Sequence, residues 1–159
     1  MKVKTTRFGI LEINAERTIT FPAGLPGFEK LHRFFMLPAE GTEYIQWLQS
    51  VEKPEIALLV IDPFQYFADY SVEIPEPDLK ELGLANPADA LVLTTITVPR
   101  NNPGNATANL LAPVVMNTKY NKAKQVILTG SPYTTKHNLF PQSKETKQQP
   151  ERACNGEGV

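Results

Sequence analysis

Ile56-Ala57-Leu58-Leu59-Val60-Ile61 is an unbroken apolar run of six residues, with Pro54 just before it and Pro63 just after. So short a run, stopped by proline at both limits, suits a strand buried on both faces better than a helix. Upstream, 44–50 (Tyr-Ile-Gln-Trp-Leu-Gln-Ser) alternates with period two, and whether Tyr44 or Ile45 leads decides which face Trp47 joins. Further upstream, 3–7 and 10–13 flank Phe8-Gly9 and read as a hairpin, 18–21 is a short strand stopped at Pro22, and 33–37 is another ended by Pro38.

Downstream, 66–74 is expected to be a strand closed by Pro75 and Pro77. Asp78 and Glu81 have capping-box spacing, and Gly83 supplies a C-terminal stop, so a helix of about two turns is expected there. Asn86-Pro87 can open a second short turn. The segments 90–98, 108–117 and 125–129 complete the strands, with a turn over 101–105. About ten strands and one or two short helices make an all-β (mainly β) chain. They close most economically as a small antiparallel β-barrel-like domain, with a two-sheet sandwich as the other geometry that hides edges. The domain is placed at 1–140. The stretch 141–159 has almost nothing to bury and reads as a disordered polar tail.

The 159 residues are 42% hydrophobic, enough for a core and too many for a fully disordered chain. A net charge of −1 lacks the basic footprint of phosphate-backbone binding. The lone Cys154 forms no internal disulfide, and no Cys/His spacing suggests zinc. Residues 1–7 lack the apolar run of a signal peptide and no stretch is long enough to span a membrane, so the cytoplasm is the expected compartment.

Chemistry is sparse. The two histidines, His32 and His137, are expected on the surface, and a nucleophile elbow, a P-loop and a dinucleotide fingerprint are missing. Gly24-Leu25-Pro26-Gly27 is a poor anion cradle because Pro26, like Pro22 just before it, removes an amide donor, so it reads as a rigid connector. Asp69, Glu73, Glu76 and Asp78 gather around Pro75 and Pro77. On a strand, Asp69 and Glu73 would share a face, giving either a solvated acidic edge or a patch that meets a basic partner. Trp47 with Phe64, Tyr66, Phe67 and Tyr70 could stack nucleic-acid bases, but Asp62, Asp69 and Glu73 beside them repel phosphate, so packing is the better reading.

Three segments in order carry a resemblance. They are Phe21-Pro22-Ala23-Gly24-Leu25-Pro26-Gly27-Phe28-Glu29, then Trp47-Leu48-Gln49-Ser50-Val51-Glu52-Lys53-Pro54, and later Ala108-Asn109-Leu110-Leu111-Ala112-Pro113-Val114-Val115-Met116-Asn117. Together with the Phe8-Gly9 hairpin and Asp62-Pro63, they resemble the bacterial flagellar assembly factor family FliW over roughly 2–135. The resemblance implies a cytoplasmic protein, a monomer when free, that binds flagellin and the RNA-binding translational repressor CsrA, a dimer. It further implies non-competitive inhibition, in which CsrA is engaged away from its RNA surface once flagellin has been secreted. No catalytic residue, metal or cofactor is implied, and no direct contact with nucleic acid or membrane. Candidate partner contacts are Asn109, Leu110 and Leu111 in the matching segment, the acidic residues Glu73, Glu76 and Asp78, and Phe64 as an apolar anchor beside them. At least one of Leu110 and Leu111 is expected in the core, since neighbours on a strand face opposite ways. The alternatives are a nucleic-acid-binding β-barrel and a ligand-binding or hydrolytic barrel, the last requiring a polar pocket with His32 beside a carboxylate.

Overall fold

The computed structural model describes residues 1–42 and 44–140, so the expected tail at 141–159 lies outside the described residues. Among the described residues there are eleven strands, one α-helix and four 3₁₀ turns. The hairpin forms as expected from β1 (Lys2–Thr5) and β2 (Gly9–Glu12). It is followed by β3 (Ile19–Thr20), β4 (Arg33–Pro38), β5 (Ile45–Ser50), β6 (Ala57–Ile61), α1 (Glu76–Leu82), β7 (Ala90–Thr97), β8 (Thr107–Ala108), β9 (Val114–Asn117), β10 (Lys122–Gln125) and β11 (His137–Asn138).

The main sheet runs β7-β6-β5-β4-β3-β10-β9, and β9 then pairs with β7, closing a ring of seven strands. Closure removes the free edges that an open sheet would present. All pairings are antiparallel except β3 with β10, a single parallel register pair, Lys122 with Thr20. That exception departs from the purely antiparallel expectation.

The pairing registers explain the opening apolar run. Met36, Leu48 and Leu58 lie opposite one another across β4, β5 and β6, and with Phe34, Val60, Leu93, Val114 and Met116 they form the barrel interior. Ile61, next to Val60, points the other way and joins an external core with Val92, Ile96 and Val115. Val60 and Ile61 are 1% and 0% exposed, so the end of β6 is buried on both faces, whereas Leu58 and Leu59 are half-buried.

Three expected elements differ. Residues 66–74 form no strand; 66–69 turn, with the Tyr70 N–H donating to the Phe67 carbonyl at 3.1 Å, and 70–74 make a strap whose Tyr70, Val72 and Ile74 pack on the external core. The 108–117 segment is not continuous, because it breaks after Ala108 and resumes at Val114, and the Asn109 Oδ1 accepts from the Ala112 N–H at 3.0 Å across the break. The last long strand is β10 at Lys122–Gln125, upstream of the expected 125–129.

The helix also starts earlier than its spacing suggests. Pro75 is the N-cap, no side chain caps the helix, and Pro77 sits in the first turn. Gly83, at φ 72°, ends it as expected, its N–H reaching the Leu79 and Lys80 carbonyls. Leu79 and Leu82 bury the inner face of α1 in the external core.

Candidate functional site

The strap places two of the acidic candidates in solvent. Val72 and Ile74 face the core, so Glu73 between them and Glu76 at the helix start are exposed. Neither forms an ion pair among the described residues. Because 66–74 is not a strand, the inference that Asp69 and Glu73 share a strand face does not hold.

Asp78 belongs elsewhere. Its Oδ1 accepts from the Lys124 Nζ of β10 at 2.6 Å, and Glu81 accepts from the same ammonium. The Asp78/Glu81 spacing therefore builds a clamp between helix and barrel, in place of the expected capping box. Burial pulls the Lys124 pKa down, but hydrogen bonds and charge from both carboxylates outweigh it and hold the pKa above its ordinary value.

Phe64 is exposed on a 3₁₀ turn whose first free N–H is its own, donated to Asp62 Oδ1 at 3.0 Å. Its ring lies 5.6 Å from Tyr70, which meets Tyr133 edge-on at 4.8 Å. The Tyr133 hydroxyl accepts from the Ser71 N–H at 3.0 Å, so this aromatic row ties Phe64 to the strap. A groove of about 350 Å³ runs between 71–75 and 127–133, with Glu73 in its wall and the exposed Ile127 beside it.

The 109–111 candidates are mostly architectural. Leu110 is 1% exposed in the external core and cannot meet a partner without leaving it. Its carbonyl accepts from the buried Tyr70 hydroxyl at 2.8 Å. Asn109 is engaged in its own turn, and only the half-buried Leu111 retains accessible side-chain surface of the two leucines. The other asparagine of this motif, Asn117, donates through Nδ2 to the Leu82 carbonyl at 2.8 Å and so ties the end of α1 to β9.

The proline-glycine motif is likewise structural. Phe21 is wholly buried edge-on against Phe34, and Gly24 sits at φ 69° with the Glu29 backbone where a Cβ would go. The Gly27 N–H donates to the Glu29 carboxylate, and this bond holds the carboxyl pKa below its usual value.

His32 is half-buried, less exposed than expected, with its ring Nδ1 3.0 Å from the Phe21 carbonyl. Glu52 receives the backbone N–H of His32 and not its ring, so no histidine–carboxylate pair is built. Among the described residues no group of three or more His, Cys, Asp or Glu side chains could hold a metal ion. No described helix is long and apolar enough to cross a membrane. Sequence reasoning missed the surroundings of Trp47, whose ring points outward from β5 with Ile45 toward the β1–β2 hairpin. The Phe8-Gly9 tip and the period-two pattern held that signal, but nothing in the sequence placed the hairpin over this strand.

Comparison with known proteins is consistent throughout. The profile of a family described as FliW protein matches residues 2–139. The chain is 43% identical over 143 residues to the flagellar assembly factor FliW of Moorella thermoacetica, covering 90% of each chain. It is 38% identical to that of Heliobacterium modesticaldum over 158 residues, 99% of each. A crystal structure of the flagellar assembly factor FliW superposes with a TM-score of 0.82 at 35% identity, covering 89% of this chain and 98% of that one. With the closed barrel, the strap and both motifs in place, the chain belongs to the FliW family of flagellar assembly factors.

Proposed function

We propose that this protein acts in the cytoplasm by binding two proteins in turn, flagellin and a CsrA-like repressor dimer, and that it catalyses no reaction. Free of flagellin, the monomer captures the repressor away from its RNA surface and relieves repression of the flagellin message. The supporting observation is the pair Glu73 on the strap and Glu76 at the helix start, exposed and without a cation partner among the described residues, where Pro75 and Pro77 stiffen the chain. Carboxylates on a rigid support attract a basic surface at little ordering cost, here a basic patch of the repressor away from its RNA face. Phe64 adds an apolar contact at the far end of the Tyr70–Tyr133 row.

The test is Glu73→Lys together with Glu76→Lys, measured by calorimetric titration of the CsrA-like dimer at several salt concentrations. Affinity is expected to fall by about tenfold or more, which is about 1.4 kcal/mol, and its salt dependence to flatten. An affinity within about twofold of the native protein's would remove the strap from the interface.

A further inference from the structure

The side of the barrel that carries Trp47 has the makings of a second contact face. Trp47 lies on β5 between Leu37 of β4 and Leu59 of β6, on the outward face. The β1–β2 hairpin lies against this face. Its tip is fixed by Thr5, whose hydroxyl donates to the Gly9 carbonyl at 2.7 Å and accepts the Phe8 N–H at 2.8 Å. The Thr6 N–H donates to the Pro54 carbonyl at 2.9 Å, fastening the hairpin to the turn between β5 and β6. Between hairpin and barrel lies an open groove of about 770 Å³, walled mainly by Phe8, Leu37, Ile45, Trp47 and Leu59. Because its walls belong to a paired strand and a stapled hairpin, the groove is preformed.

Arg7 and the exposed Glu40 both line the groove, and it is the arginine that lies against the aromatic floor. The Arg7 guanidinium lies 4.2 Å above the Trp47 ring, while Phe8 meets the same ring edge-on at 6.0 Å. Stacking uses the flat face of the guanidinium and leaves its edge N–H donors directed outward. No carboxylate pairs with Arg7 among the described residues. Tryptophan, arginine and a second aromatic ring around an apolar floor are the residue types that carry most of the energy at protein interfaces. A bare apolar groove would name no occupant. The pre-oriented guanidinium, without a carboxylate partner among the described residues, does, because it is complementary to a carboxylate held beside apolar side chains.

We propose that the Arg7–Trp47 groove seats a segment of a partner protein that presents bulky apolar side chains next to an Asp or Glu carboxylate. This rests on the binding role proposed above and gives one of its two partners a seat separate from Glu73 and Glu76. Trp47 is the only tryptophan of the chain, so its emission reports occupancy directly.

Purified flagellin and purified CsrA-like dimer are titrated separately into the full chain while tryptophan emission and affinity are followed. One of them is expected to shift the emission, with Arg7→Glu weakening that partner by about tenfold and Arg7→Lys recovering part of the loss. Arg7→Glu is expected to leave the melting temperature unchanged, since the side chain is exposed. Binding of either partner with no emission shift and no effect of Arg7→Glu overturns the groove while the binding role stands. If the native chain binds neither partner, the binding role falls, and a random displayed peptide library panned on the full chain decides the groove. Enrichment of apolar peptides carrying Asp or Glu that fail on the Arg7→Glu variant supports it; no enrichment, or equal capture by both proteins, overturns it. Self-association of the native chain that Arg7→Glu abolishes also overturns it, by giving the groove to a second copy.

Discussion

Replacing Tyr70 with Phe tests how the strap is held over the barrel. The Tyr70 side chain is 6% exposed, and its hydroxyl donates at 2.8 Å to the Leu110 carbonyl, which has no other donor among the described residues. Phenylalanine keeps the ring against Tyr133 and Phe64 and deletes only the oxygen, so apolar burial barely changes. What remains is a buried carbonyl without a partner, which costs about 1–3 kcal/mol. For a chain of this size each kcal/mol is worth roughly 2–4 °C, so the melting temperature should fall by roughly 2–12 °C.

The same variant has a signature at alkaline pH. Burial, and to a lesser degree the neighbouring Tyr133, pushes the Tyr70 hydroxyl pKa far above its ordinary 10.0. Unfolded chains release this proton near pH 10 while the folded chain holds it, so stability is intact below that pH and falls above it. The limiting slope for one proton is about 1.4 kcal/mol per pH unit. Urea unfolding followed by circular dichroism between neutral and strongly alkaline pH should show Tyr70→Phe less stable at neutrality and with a shallower alkaline decline. A loss below about 0.5 kcal/mol at neutral pH would refute the hydrogen bond as a stabilising contact, and an alkaline slope equal to the native one would refute the raised pKa of the buried hydroxyl.

Two further outcomes follow from the same geometry. Gly24→Ala should cost about 2 kcal/mol or more in urea unfolding, because the left-handed penalty of about 1–2 kcal/mol is joined by a Cβ that would sit 2.6 Å from the Glu29 carbonyl oxygen. Gly27→Ala, at φ 85° with open space around its Cβ, should cost only that conformational penalty, and equal losses at both sites would remove the clash from the account. Lys124→Gln should cost about 1 kcal/mol at neutral pH, since its clamp on Asp78 and Glu81 is partly solvent-screened. The native Lys124 pKa is raised, so its contribution is complete below the ordinary lysine range and disappears as pH climbs through the elevated value. An undiminished alkaline loss in Lys124→Gln would show that the clamp does not contribute.

The strand-stop pattern of prolines and the double-faced run at 56–61 made the barrel legible, because each strand's limits and its need for two apolar neighbours are written locally. The strap was misread for a physical reason. Alternation over 70–74 reports an extended chain buried on one side, and Tyr70, Val72 and Ile74 supply that pattern against Ser71 and Glu73 without a strand partner among the described residues, whereas 66–69 turn. Hydrogen-bond pairing is a separate property that alternation does not encode. Asp78 was misplaced because its partner, Lys124, lies 46 residues away, and a carboxylate in a helix's first turn looks the same whether it serves a cap or a distant ammonium. Of the binding candidates, Glu73, Glu76 and Phe64 are where a partner can reach them. Leu110 is not, because an extended segment laid against the barrel must bury one of two adjacent leucines.

Two of the three segments that carry the family resemblance are largely consumed in building the scaffold. Gly24 makes room for the Glu29 backbone, Asn109 closes a turn, Asn117 holds the end of α1, and Phe21 fills the barrel interior. A side chain that satisfies a buried carbonyl or fills a core cannot also desolvate against a partner without giving up that contact. On the proposed reading, recognition falls to side chains that the scaffold holds rigid but leaves unspent. Glu73 and Glu76 on the strap and Arg7 over Trp47 meet that condition, and their charges have opposite sign. Under the proposed two-partner role, a carboxylate strap and a guanidinium groove on one barrel favour partners of different surface chemistry.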